Sequence, residues 1–398
     1  MNIGIYSGTI PPEKFIDNLI DGIAERGCKV FIYGKEKNKS FILNKKNIVR
    51  RKFYSNKLEI FFNSILYFLK LLFLKPRSFL SIIKEIRQNS ISIFQILDRS
   101  CKILPLLLDN IDVLHIQWTK TIVKYPEIIN NINCPVVLSF RGSHINYSPL
   151  CDSDLIKGYQ KYFLNVSAFH AVSNAIAKEA QKYSADPNKT TVIYPAVKLE
   201  LVNNIYKKCT KSERLKIISV GRCHWTKGYS TALEAMAKLK NKDFKFNYTI
   251  IASGKDTDSI NFHINDLELK DCVTFINGLS HEKIIDNLLA SDVFLLSSVS
   301  EGISNAVLEA MSIGLPVIST DCGGMREVID DNKNGFLVPA YCSSSIVETI
   351  QKIYSLNEIV KENLIKNAKE TIIKNHLIND QIDNFLDLYL KNIKNYEL

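Results

Sequence analysis

The stretch "EGISNAVLEAMSIGLPVIST", Glu301 to Thr320, decides how this chain is read. A polar segment, Gly302–Ile303–Ser304–Asn305, leads into apolar residues at helical spacing, and "GLPVIST" follows as a short apolar strand. The preceding "DVFLLSS" (292–298) is also an apolar strand, which puts the polar segment at a strand's carboxyl end. Ser304 or Asn305 is expected to cap the helix, whose N–H groups and dipole attract an anion. Gly302 lets backbone approach a ligand with no Cβ in the way. Glu301 ahead of the helix and Glu309 about one turn inside it are placed to accept hydrogen bonds from hydroxyls. The plainer alternative is a capped helix with two solvent-facing glutamates.

Outward from this stretch the chain alternates. "NIGIYS" (2–7) reads as a strand, Glu13 to Arg26 as a helix, and "KVFIYG" (29–34), "DVLHIQW" (112–118), "CPVVLSF" (134–140) and "AFHAVS" (168–173) as apolar strands. The pattern restarts beyond the polar "KKCTKSERL" (207–215). "LKIISVGR" (215–222), a helix over Tyr229–Lys240, "NYTIIASG" (247–254), "CVTFING" (272–278), a helix from His281 to Ala290 and "GFLVP" (335–339) surround the opening stretch. Short apolar strands separated by helices build parallel sheets covered on both faces. Two such runs predict two doubly wound domains with a cleft between them. The tail, "HLINDQIDNFLDLYLKNIKNYEL" (376–398), has apolar residues at helical spacing and no strand after it.

The 398 residues carry nine cysteines and no C-x-x-C pair. With no signal peptide at "MNIGIYSG", they read as buried thiols in a reducing cytoplasm. Residues 1–200 hold 28 Lys+Arg against 16 Asp+Glu, a net +12, which leaves −2 for the remainder of the overall +10. Nine of those cations lie between Lys35 and Lys57, among them Arg50, Arg51 and Lys52. A polyanionic partner or an anionic membrane surface fits that bias, and so does a solvated basic loop. The next segment, Leu58 to Arg87, is the most apolar of the chain. Asn63, Ser64 and Lys70 interrupt it, so it is not a membrane span. It reads as one or two helices, expected in the core, with a bilayer interface as the alternative.

In "SVGRCHWTKGY" a strand ends at Gly221, and Arg222 and Lys227 flank the loop before the next helix. Two fixed cations at a strand end suit a diphosphate. At ~4 Å and an effective dielectric near 20, each charge pair is worth up to about 4 kcal/mol before desolvation. The loop is not a P-loop, since G-x-x-x-x-G-K-[ST] is absent. Two D-x-D triplets occur, Asp152–Asp154 and Asp256–Asp258. The first is explained by capping of a helix beginning near Leu155, the second by a polar loop. No catalytic metal is expected, because the cations already supply the charge.

These residues carry a resemblance. "GRCHWTKGY" and "SEGISNAVLEAMSIGLPVISTDCGGMREVI" resemble the two signatures of the C-terminal domain of retaining GT-B glycosyltransferases of the family 4 type. The likeness covers most of residues 211–340 and is weaker in the N-terminal half. It implies an α/β GT-B fold: two Rossmann-like doubly wound domains facing across a cleft, with a C-terminal helix crossing back to the N-terminal domain. The expected divisions are 1–205 for the acceptor domain, 206–375 for the donor domain and 376–398 for the returning helix. By that resemblance Gly221, Arg222 and Lys227 hold the donor diphosphate with backbone from Gly302, Ile303, Ser304 and Asn305. Glu309 takes the ribose, and Glu301 lies beside the donor sugar as a catalytic candidate. The N-terminal half departs from the pattern. Its first strand is followed by "SGTIPPEKF", with only Gly8 for the usual glycine-rich loop. Arg141 stands where many members have a His, and His144 lies three residues on. Which of those two touches the donor stays open.

The reading is a sugar-nucleotide-dependent hexosyl-type transferase acting on a UDP- or GDP-linked donor, with no further cofactor and no nucleic-acid partner. Retention of configuration rests on the resemblance. The basic half and apolar segment point to a cytoplasmic enzyme at the inner face of the plasma membrane, working on a glycan or an undecaprenyl-diphosphate-linked acceptor in bacterial surface polysaccharide assembly. Two rivals are a sugar-nucleotide epimerase or phosphorylase on the same fold, and a non-catalytic sugar-nucleotide binder.

Overall fold

The computed structural model describes residues 1–37, 46–203 and 213–397. The expected domain boundary at residue 205, together with Lys39 and Lys45 of the basic run, lies outside the described residues. The chain forms two compact units, Met1–Ile193 with Asn379–Leu398, and Tyr194–Ile378.

In the first unit β1 (Asn2–Ile10), β2 (Lys29–Glu36), β3 (Ile48–Phe53), β4 (Val113–Ile116), β5 (Val136–Phe140), β6 (Ala168–Ala171) and β7 (Thr190–Val192) form a parallel sheet ordered β3-β2-β1-β4-β5-β6-β7. The second unit holds β8 (Leu215–Arg222), β9 (Phe246–Ser253), β10 (Val273–Ile276), β11 (Val293–Leu296), β12 (Val317–Thr320) and β13 (Phe336–Val338), ordered β10-β9-β8-β11-β12-β13. Central strands such as β4 and β11 are buried at every residue, as continuous apolar runs sandwiched by helices must be. In both sheets the strand order reverses beside the first strand of the unit, between β1 and β4 and between β8 and β11. Those reversals are where doubly wound sheets leave room for ligands at the strand carboxyl ends.

The predicted helices fall at Lys14–Glu25, Tyr229–Lys240 and His281–Leu289. The first buries Ile16, Leu19, Ile20 and Ile23, an i, i+3, i+4, i+7 stripe. The tail forms one helix, Ile378–Glu397, and packs tightly on that first helix: a Cβ at Gly22 would lie 1.9 Å from Ile382. Arg26 adds a bond to Asp383 at 2.6 Å.

Several expectations are overturned. The basic residues Arg50, Arg51 and Lys52 form no loop; they lie on the edge strand β3, where Arg51 grips Asp109 at 2.5 Å and Tyr33 donates to the same carboxylate at 2.8 Å. Of the eight described cysteines, all free, Cys151 is exposed and Cys342 partly so. Asp256 and Asp258 sit at the start of the helix Thr257–Asp266 rather than in a loop. Asp152 does cap, accepting from the Asp154 and Leu155 amides, but the helix starts at Ser153 and Asp154 lies in its first turn.

The largest correction concerns the apolar segment. Pro76 breaks it into helices Lys57–Leu74 and Pro76–Gln88, as the two-helix reading expects, but the longer helix is not a core helix. Only Ile60, Ser64 and Leu71 of it are buried, while Phe73 is 79% and Leu58 67% exposed. The helix Ile93–Leu108 packs against one stripe of it, and apolar residues lie all around it.

Candidate functional site

The second unit builds a site at its strand reversal. β8 ends in Gly221 and Arg222, and the chain turns through the short 3-10 segment Trp225–Lys227 into the helix Tyr229–Lys240. Gly228 makes that turn in the left-handed region at φ +60°, with Ser297 O only 2.1 Å from where a Cβ would be. No other residue fits there. Two bonds tie this loop to the one after β11: Ser297 Oγ donates to Lys227 O at 2.9 Å, and Val299 N to Thr226 O at 2.8 Å. The adjoining β12 loop closes on the same place. A Cβ on Gly323 (φ +56°) would lie 1.9 Å from Glu301 O, and Gly324 N donates to Gly302 O at 2.7 Å. The glycine pair in "DCGGMREVI" thus sets the backbone height of Glu301 and Gly302.

Lys227 and Glu301, assigned separate roles on sequence grounds, meet. Lys227 Nζ donates to Glu301 Oε1 at 2.5 Å, Ser298 Oγ donates to the same oxygen at 2.7 Å, and each side chain is only 13% exposed. An ammonium has three N–H donors, so one bond to Glu301 leaves Lys227 capacity for a ligand anion. Arg222 is exposed at the end of β8. A Cβ on Gly221 would press on Tyr229 Oη at 2.8 Å and on the Lys227 stem at 3.2 Å.

Ser304 stands at the N-cap of the helix Asn305–Ile313, but its hydroxyl makes no capping bond, contrary to the expected cap. Its carbonyl instead accepts from Val307 N at 3.1 Å and Leu308 N at 3.2 Å. Asn305 does not cap either: it is the first helical residue, and its buried Oδ1 has no hydrogen-bond partner among the described residues. Tyr229 Oη is in the same condition. Buried polar atoms left this way cost about 1–3 kcal/mol each, so a ligand offering donors and acceptors is the natural complement. Ile303 is buried beneath the loop. Glu309, one turn on, is bonded by His281 Nε2 at 2.9 Å, a partner the sequence reading missed. His281 opens a helix one strand earlier, and no local spacing links it to Glu309.

The first unit gathers a second cluster at its own reversal. Gly8 (φ +78°) sits at a register shift in β1, 3.7 Å from Trp118 by its would-be Cβ. Trp118 Nε1 donates to Ser7 O at 2.8 Å, and its ring lies 5.6 Å from His144. Arg141 stacks over Phe15 at 4.4 Å and donates from Nη2 to Gln117 Oε1 at 2.7 Å, while its Nε has no partner among the described residues. Burial pushes its guanidinium down to about 9, which still leaves a cation at neutral pH. Gly8, Arg141 and His144 therefore come together, joined by Phe15, Gln117 and Trp118, which sequence reasoning did not single out.

Behind Arg141 runs a buried chain of hydrogen bonds whose direction its ends determine. His170 Nε2 donates to Ile193 O at 2.9 Å, so its Nδ1 accepts from the Ser139 hydroxyl at 2.8 Å. Ser139 Oγ then accepts from His115 Nε2 at 2.8 Å. His115 Nδ1 accepts from Tyr389 Oη at 2.6 Å and Gln117 Nε2 at 3.0 Å, and the other end of that amide holds Arg141. Burial first, then the other positive groups nearby, lowers the pKa of both histidines, His170 to about 3. Tyr389 belongs to the tail helix, so this helix is wired into the cluster at Arg141 within one unit.

Among the described residues no group of three His, Cys, Asp or Glu side chains is arranged to hold a metal ion.

Comparison with known proteins agrees with this architecture. Residues 12–201 match the profile of Glycosyltransferase Family 4, and residues 203–371 that of Glycosyl transferases group 1. The amylovoran biosynthesis glycosyltransferase AmsK of Erwinia amylovora is 33% identical over 181 residues, 44% of each chain. The matches span about half the length of the curated relatives. Among solved structures, a glycosyltransferase from Rickettsia africae superposes with a TM-score of 0.72 at 20% identity over 99% of both chains. Anabaena HepE, solved in complex with UDP-glucose, gives 0.69 at 18% identity over 97% of this chain and 99% of its own. At such identities the structures speak for the fold, two Rossmann-like domains of GT-B type. The two profiles, together spanning residues 12–371, and the signatures around Lys227 and Glu301 place the chain in the family 4 type of glycosyltransferases, on the GT-B fold.

Proposed function

We propose that this protein transfers a sugar from a nucleotide-sugar donor to a hydroxyl of a glycan or lipid-linked acceptor, with retention, in bacterial surface polysaccharide assembly. The observation that carries the proposal is the convergence of Lys227, Glu301 and the uncapped start of Asn305–Ile313 at the β8/β11 reversal. Lys227 and Arg222 receive the diphosphate, helped by backbone N–H groups from Gly302 to Asn305. Asn305 Oδ1 and Tyr229 Oη, buried and unbonded among the described residues, take ligand donors. Glu309, oriented by His281, accepts from the ribose hydroxyls, and Glu301, oriented by Lys227 and Ser298, faces the sugar. Charge developing on the leaving diphosphate is met by cations already fixed in place, which is where such sites gain most of their rate. That charge balance needs no metal. The departing phosphate oxygen takes the acceptor proton on the same face, so configuration is retained without a covalent intermediate. In the other unit, the Trp118, Arg141 and His144 cluster is suited to a hydroxyl-rich or anionic acceptor. That the structural relative HepE was solved with UDP-glucose, and that the relative AmsK is named for amylovoran biosynthesis, supports donor and pathway class alike.

The test begins with thermal stabilisation of the purified protein by UDP-, GDP- and ADP-sugars, since a ligand bound only to the folded state raises stability. The stabilising donor is then incubated with and without glycan and lipid-linked acceptors, and the product's anomeric configuration is read by NMR. Sugar conversion without acceptor would indicate an epimerase. A glycosyl-enzyme trapped in mass spectrometry would refute the same-face mechanism.

A further inference from the structure

The helix Lys57–Leu74 carries far more apolar surface than its packing uses. One stripe, through Ile60 and Leu71, is buried, and Cys101 of the helix Ile93–Leu108 donates to Ile60 O at 3.3 Å. At 100° per residue, Phe61, Ile65, Leu58, Leu69, Phe62 and Phe73 fall in that order on one continuous arc of about 120°. All six are exposed, from 40% at Ile65 to 79% at Phe73. No other element covers this arc among the described residues. The patch continues on its neighbours: Leu80 on the helix Pro76–Gln88 is 76% exposed, and Phe94 lies beneath the Lys57 ammonium at 5.9 Å.

Its borders are basic. Lys52, Lys57, Lys70 and Lys84 are exposed around the arc, and Glu59 is the one exposed acid on the helix. Lys57 lies about 40° before the Phe61 end of the arc and Lys70 about 60° past its Phe73 end, beyond Leu66 and Glu59. Glu59 is paired with Lys52 at 3.9 Å. A long lysine stem lies along apolar surface while its ammonium stays in water. Residues 1–200 add a net charge of +12. An apolar stripe with cationic borders matches the boundary between anionic headgroups and acyl chains. A second copy would bring two cationic borders together, which charge repulsion opposes. No helix among the described residues is long and apolar enough to cross a membrane, which leaves an in-plane arrangement as the way this one would meet a bilayer.

We propose that the apolar arc of Lys57–Leu74, bordered by Lys57 and Lys70, docks the protein in plane on a bilayer leaflet containing anionic lipid. The inference stands apart from the transferase reading, because none of these residues belongs to either cluster at the strand ends.

The experiment is flotation of the full-length protein with phosphatidylcholine vesicles, with and without phosphatidylglycerol, at low and high salt. Wild type is expected to float with the anionic vesicles and to be partly released by salt. F62S/F73S should lose about tenfold or more of that partitioning. K57Q/K70Q should lose on the order of tenfold on anionic vesicles and nearly nothing on neutral ones. Circular dichroism and stabilisation by UDP or GDP should stay unchanged in both variants, which separates docking from folding and from the donor site. Wild type that floats with neither vesicle, or F62S/F73S that floats as well as wild type, overturns the proposal. So does a wild-type dimer in sedimentation velocity that F62S/F73S dissociates, since the arc then pairs copies of the chain.

Discussion

The buried histidine chain makes the first unit acid-labile in a calculable way. His115 and His170 are 0% and 1% exposed, and each has both ring nitrogens committed as a neutral tautomer. A proton added to either ring would turn an acceptor nitrogen into a donor facing another donor. Their folded pKa values lie below the unfolded value near 6.5, His170 at about 3 and His115 well below its ordinary range. With a depressed folded pKa, the stabilisation is fully present above about pH 6.5 and is lost as pH falls toward the folded pKa, because the unfolded chain binds the protons. From pH 7.5 to 5.0 the His170 shift removes about 2 kcal/mol, and the His115 shift adds to the loss in the same direction. That loss is a sizeable share of the ~5–15 kcal/mol that holds a typical domain. Urea unfolding followed by Trp118 fluorescence, in a Trp225→Phe background so that only the first unit reports, measures the drop directly. His170→Asn should be less stable at pH 7.5 yet lose about 2 kcal/mol less than wild type over the same interval. The reasoning fails if wild type loses less than about 1 kcal/mol, or if His170→Asn leaves the drop unchanged.

Three further outcomes are expected. Glu309→Ala should weaken binding of the donor nucleotide by about tenfold or more in calorimetry, the worth of hydrogen bonds to a charged group, whereas Glu301→Ala should lower turnover more than affinity in initial-rate measurements; the reverse pattern would exchange their roles. Gly323→Ala should destabilise by clearly more than the ~1–2 kcal/mol of a left-handed backbone, since its Cβ meets Glu301 O, while Gly27→Ala, at φ +82° with open space around it, should cost only that backbone term in thermal denaturation. Lys227→Met should cost about 1–3 kcal/mol in urea unfolding by leaving the mostly buried Glu301 carboxylate without its cation, and added nucleotide should rescue it less than wild type.

Much of the architecture was legible along the chain because parallel-sheet strands are buried on both faces and show as apolar runs wherever they occur. The helices Tyr229–Lys240 and His281–Leu289 were readable from spacing alone. What escaped was weakly apolar or depended on distant partners. β3 reads as a basic run because an edge strand tolerates Arg50, Arg51 and Lys52, and Asp109, which neutralises Arg51, lies 58 residues away. The apolar segment read as core because hydrophobicity signals burial without saying against what. In the site, Lys227 and Glu301 were each identified, but their bond crosses 74 residues and three strands. Ser304 took the expected capping position without the expected bond.

By itself, the sequence determined two α/β units, their strand-end loops and the residue types gathered there, because periodicity and glycine placement are local properties of the chain. Only the tertiary structure decided that Lys227 holds Glu301, that His281 holds Glu309, that Tyr389 reaches His115, and that a whole helix face stays bare. Each of those depends on which surfaces folding brings together, and hydrogen bonds and burial between distant residues leave no periodic trace along the chain.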